Sequence, residues 1–222
     1  LQTTQTQSFP PCRHPFFNSI RTVTERDGWI SFGEEEIPST SLNSLYIREC
    51  YKTIASSILQ VSGIHKAIIS GTPGSGKLLF LIYLLWRLVK EGKRVLFIYG
   101  TFNIYYDGNG GVFRFVSGQL PFSVNKRFWN DTLWCLFNAK FKKVSDLIHF
   151  PIGLSTFIVS TSPASELVND FKKPWPVPQV FYMPIWTEAE LETIAPLFPE
   201  ANSEWRNRFI FLGGIPQHRS EE

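Results

Sequence analysis

The stretch AIISGTPGSGKLLFLIYLL, residues 67–85, decides how the rest of the chain is read. Its apolar start has the length of a buried strand. Gly71 then opens a loop that closes on Gly76 and Lys77, and an almost wholly apolar segment follows. This is the order strand, glycine-rich loop, helix, and it follows the phosphate-binding pattern G-x-x-x-x-G-K-[ST]. Loop N–H groups and a helix N-terminus point together at an anion in such an arrangement. The expected nucleotide-binding residues are Gly71, Thr72, Pro73, Gly74, Ser75, Gly76, Lys77 and Leu78. Lys77 would bridge the β- and γ-phosphates. One position departs from the pattern. Leu78 stands where a hydroxyl would ligate the magnesium carried by a nucleotide.

Outward from the loop, apolar periodicity marks further elements. HKAIISG predicts a short buried strand ahead of the loop, and residues 77–91 a buried helix ended by Glu91-Gly92-Lys93. Upstream, Leu45, Ile47, Tyr51, Ile54, Ala55, Ile58 and Leu59 predict a helix that stops at Gly63. Downstream, strands are expected at 94–100, 132–138, 155–163 and 179–184. Residues 102–116 read as an aromatic hairpin turning at Asp107-Gly108-Asn109-Gly110. Thr187 and Glu190 form a capping box for a helix over 187–198, and a last helix is expected at about 203–211. Strands alternating with helices predict an α/β fold, a mostly parallel sheet with helices on both faces. Residues 1–27 are polar and proline-containing and read as a poorly ordered lead-in.

Composition narrows the function classes. At 222 residues with 43% hydrophobic and 18% charged content, the chain is a globular α/β domain rather than a disordered one. A net charge of +3 is too small to argue for nucleic acid as partner. Cys12, Cys50 and Cys135 have no metal-ligand spacing and suggest no disulfide framework, so no protein-held metal is expected. His14, His65, His149 and His218 show no mutual pattern. The longest apolar run, residues 78–86, is well short of a membrane span, so no membrane partner is expected. The N-terminal residues lack a charged region followed by an apolar one, so no signal peptide is visible, and an opening Leu1 reads as part of a longer protein.

The segments IPSTSLNSLYIRECY, GTPGSGK, FWNDTLWCLF, FIVSTSP, FYMPIWTEAEL and LGGIPQH together resemble the P-loop NTPase region of Crinkler effectors, itself similar to retrotransposon hot spot proteins. The resemblance covers roughly residues 28–218. It implies a three-layer P-loop NTPase core of the AAA+/STAND type over 28–216, with a helical lid truncated at 217–222. It also implies ATP as the bound nucleotide, and secretion followed by action in a host cell, in cytoplasm or nucleus, with a possible host protein as partner.

Under that resemblance three departures matter. Leu78 replaces a serine or threonine, Asn138 replaces the aspartate that ends the Walker B strand, and Ala164-Ser165 follow Ser-Thr-Ser-Pro where arginine is common. Asn138 could still bond a magnesium-bound water, but it carries no charge to compensate the ion, so magnesium binding is expected to be weak. Lys77, Thr161 and Ser162 are the catalytic candidates, the latter two as sensors of the γ-phosphate or the attacking water. The same hydroxyls could instead cap a helix starting near Pro163. Arg48 and Glu49, with Tyr46, could border an adenine pocket or form the solvated edge of a helix. The expected function is ATP binding with weak or lost hydrolysis; the alternative is a non-catalytic scaffold for a host protein.

Overall fold

A computed structural model describes residues 9–63, 65–99, 102–116, 119–139, 150–163, 171, 177–198 and 205–206. Ten strands occur among them: β1 (Glu25–Arg26), β2 (Trp29–Ser31), β3 (Ser44–Tyr46), β4 (Lys66–Ser70), β5 (Arg94–Tyr99), β6 (Phe102–Tyr106), β7 (Val112–Val116), β8 (Leu133–Asn138), β9 (Thr156–Ser160) and β10 (Gln179–Tyr182). The helices are α1 (Pro15–Ser19), α2 (Glu49–Leu59), α3 (Lys77–Lys90) and α4 (Glu188–Ile194).

The main sheet has the order β10-β4-β9-β8-β5-β6-β7. Its first five strands run parallel, and the hairpin β6–β7 adds an antiparallel edge. Every residue of β4 and β9 is buried, as expected of central parallel strands covered on both faces. Side chains alternate between faces. Ala67 and Ile69 join the cluster built on α1, α2 and α3, while Ile68, Leu96, Ile98, Phe137 and Val159 join a second cluster with Phe128, Trp129 and Phe171. The expected helix layer is therefore present on the first face; on the second, the described residues contribute these aromatics, of which Phe171 is helical.

Local chemistry accounts for most elements. Tyr51, Ile54, Ala55 and Ile58 lie on one stripe of α2 and are buried. The hairpin turn closes where Asp107 Oδ1 accepts the N–H groups of Asn109 and Gly111, both at 2.8 Å. The α4 capping box is complete, Glu190 N–H donating to Thr187 Oγ1 at 3.2 Å and Thr187 N–H to Glu190 Oε2 at 2.9 Å.

Two expectations are corrected. Residues 9–27 are not a loose lead-in. Phe16 and Phe17 are fully buried on α1, which begins with Pro15, a residue suited to a first helical position. Tyr106 Oη donates to Phe17 O (2.8 Å) and Trp86 Nε1 to Val23 O (3.1 Å), which ties the segment to the hairpin and to α3. Its polar composition concealed a few aromatics that bury completely. Leu45 and Ile47 also do not start a helix. Leu45 pairs with Ile30 in a small antiparallel sheet β1-β2-β3, and α2 begins only at Glu49 and ends at Leu59. The helix expected at 203–211 is described only at residues 205–206, which are helical, and Gly213–Pro216 and residues 217–222 lie outside the described residues.

Candidate functional site

The loop that follows β4 lies at the C-terminal ends of the parallel strands, where open α/β sheets receive ligands. Chain geometry forces glycine at its two ends. Gly71 has φ +153°, and a Cβ there would sit 2.9 Å from Met183 O. Gly76, at φ +91°, is the left-handed residue before α3, and a Cβ would collide with Tyr51 Oη. Ser75 N–H donates to Thr72 O (3.2 Å), tightening the turn. No side chain caps the N-terminus of α3, which leaves its first-turn N–H groups for another acceptor.

Three side chains from other elements hold the loop's carbonyls. Trp186 Nε1 donates to Gly74 O (3.0 Å), Arg48 Nη1 to Ser75 O (2.9 Å) and Tyr51 Oη to Gly76 O (2.8 Å). Lys77 Nζ lies across the loop, donating to Gly71 O (2.6 Å) and Thr72 O (2.7 Å). Burial pushes the Lys77 ammonium down to about 8. The loop can thus offer an oxyanion N–H groups, a helix N-terminus and one cation.

The neighbouring strand ends supply the other candidates. Asn138 and Ser160 are register partners on β8 and β9 and both are buried. Thr161 is buried, its N–H donating to Ile69 O at 3.0 Å, whereas Ser162 is exposed. The structure therefore gathers Ser160, Thr161 and Asn138 at the mouth of the sheet that carries the loop. Ala164 and Ser165, and any helix after Pro163, lie outside the described residues. Leu78 is half-buried and packs against the core cluster beneath α3. This donor set does not fit a protein-held magnesium, because Leu78 has no lone pair and Asn138 no charge. Among the described residues no group of three or more His, Cys, Asp or Glu could hold a metal ion. No described helix is long and apolar enough to cross a membrane.

Arg48 corrects the reading of a solvated helix edge. Its side chain is 1% exposed. The guanidinium forks onto Glu190, Nε to Oε1 at 3.0 Å and Nη2 to Oε2 at 2.9 Å, and lies over the Trp186 ring at 4.3 Å. Burial raises the Glu190 pKa, but the hydrogen bonds from Arg48 and Thr187 outweigh it and hold the carboxyl below its usual value. Glu49 is exposed, and Tyr46 packs against Trp29 at 5.1 Å. Sequence reading missed Tyr51, Trp186 and Glu190 as parts of this site. The capping box, which already placed Glu190 at the start of α4, was the one signal that could have pointed to it.

No family model matches the chain. The chain is 38% identical over 212 residues, 94% of its length, to Crinkler effector protein 15 of Phytophthora infestans. Crinkler effector protein 16 of the same organism is 38% identical over the same extent. The chain spans about a third of the length of these relatives, 34% and 33% respectively. The chain is thus a homologue of the Crinkler effector proteins, aligned to one part of them along nearly all of its own length.

Proposed function

We propose that this chain is the nucleotide-binding domain of a Crinkler-type effector that acts inside a host cell. It takes the phosphates of ATP on the loop Gly71–Leu78 and hydrolyses them weakly or not at all. The observation that carries the reading is the uncapped N-terminus of α3 behind a glycine-rich loop, with Lys77 folded across it. Loop N–H groups would hold the β-phosphate. Lys77 would exchange its bonds to Gly71 O and Thr72 O for phosphate oxygens, placing its charge between the β- and γ-phosphates. Thr161 and Ser162 are the groups nearest in role to a sensor of the γ-phosphate. Weak turnover follows from Leu78 and Asn138, which leave any magnesium to the nucleotide and water.

Binding of a fluorescent ATP analogue to the purified chain tests this, with and without magnesium and against Lys77→Ala. Binding that requires Lys77 and is indifferent to magnesium is the expected result. No binding in either condition would overturn it and favour a fold used as a scaffold for a host protein.

A further inference from the structure

We infer that Arg48, locked to Glu190, is the positioning residue that holds the glycine-rich loop in its anion-accepting shape, without itself touching the ligand. The inference rests on the reading above that this loop receives phosphates.

A guanidinium has five N–H donors and no acceptor. Arg48 uses all five. Nε and one Nη2 N–H go to the two Glu190 oxygens, Nη1 goes to Ser75 O (2.9 Å) and Pro184 O (3.1 Å), and the other Nη2 N–H goes to Ile185 O (2.8 Å). Two aromatic rings also pack on it, with Trp186 at 4.3 Å and Tyr51 at 5.7 Å from the guanidinium carbon. At 1% exposure and with all its donors used, it has nothing to offer a nucleotide base. The adenine-pocket role therefore does not suit it.

The bond to Ser75 O has a consequence for the loop. In a trans peptide the C=O and the following N–H point in opposite directions. Holding Ser75 O against Arg48 and Gly76 O against Tyr51 turns the N–H groups of Gly76 and Lys77 away from those side chains. Holding Gly74 O against Trp186 turns the Ser75 N–H toward Thr72 O, which it reaches at 3.2 Å. Arg48 connects these ties, because it also bonds the carbonyls flanking Trp186 on its N-terminal side and the carboxylate at the start of α4. A lysine at this position keeps the charge but cannot make the planar fork.

The test uses three proteins, wild type, Arg48→Lys and Glu190→Gln, and two ligands, ATP and inorganic tripolyphosphate. Arg48→Lys is expected to weaken both ligands to the same extent, about tenfold or more. In the ligand-free proteins, amide hydrogen exchange in residues 71–78 is expected to rise about tenfold or more, while residues 80–90 of α3 stay protected. Loss of ATP binding with tripolyphosphate binding intact would overturn the inference, because it would mean a direct base contact. Unchanged exchange in 71–78 would also overturn it. Should Arg48→Lys fail to fold, Glu190→Gln, which keeps size and one acceptor, is read in the same way. A wild-type chain that binds neither ligand refutes the nucleotide reading alone, and loop exchange still decides the role of Arg48.

Discussion

Lys77 carries two opposed demands. On the proposed nucleotide reading it must be charged to attract phosphate, yet its half-buried position pushes the ammonium down to about 8, against an ordinary 10.5. An anion favours the charged form, so binding takes up a proton once the pH approaches the free-state value. The ratio of wild-type to Lys77→Ala affinity for tripolyphosphate, from which the ligand's own ionisation cancels, should therefore be flat below about pH 7 and fall as the pH rises through 8. Calorimetric titration across pH 6–10 checks this, and a flat profile would show that the charge is not used. Gly76 makes a second demand, on shape. Ala at this position would have to adopt φ +91° and share space with Tyr51 Oη. Gly76→Ala should cost about 1–3 kcal/mol of stability and abolish ligand binding, as measured by urea unfolding and titration. Both residues were legible in the sequence, since loop chemistry is local. Arg48 was not. Its partner Glu190 lies 142 residues away, and no pattern within a window of sequence connects them.

Among the elements, α4 shows how one carboxylate can serve two structures. Glu190 closes the capping box of its own helix and receives the Arg48 fork from the segment before α2. Its folded pKa lies below the ordinary 4.5. The stability it contributes is thus complete above about pH 4.5 and disappears as the pH falls through the lower folded value. Unfolding midpoints of wild type and Glu190→Gln should differ most near neutrality and converge in acid, below the lowered folded value. A difference that persists unchanged into acid would show that the carboxylate charge is not what matters. Strands β4, β5, β8, β9 and β10, helix α3 and the β6–β7 hairpin were all legible from apolar runs and turn residues. The three-stranded sheet β1-β2-β3 was not. Its strands are two or three residues long, too short for periodicity to register, and Leu45 with Ile47 fitted a helix equally well.

For the whole molecule, α2 and α3 share one core with the N-terminal segment, while α4 packs in a smaller cluster around Trp186. Phe17 is fully buried and touches the main sheet through Phe97, with ring centroids 6.0 Å apart. Phe17→Ala should lower unfolding stability by about 3–5 kcal/mol, measured by chemical denaturation. A loss below about 1 kcal/mol would restore the reading of a poorly ordered lead-in. That reading failed because burial of a few aromatics is decided by what the rest of the chain offers them, which average polarity does not report.

The same segment has an effect on sheet growth. Cys12 N–H donates to Val112 O (2.8 Å), Arg114 N–H to Pro10 O (3.0 Å), and Pro11 bridges Phe113, so the outer margin of β7 is bonded by a short strap. Pro10 and Pro11 have no N–H with which to recruit a further strand. Among the described residues this strap caps the hairpin side of the sheet, whereas β10 has no described strand on its outer side.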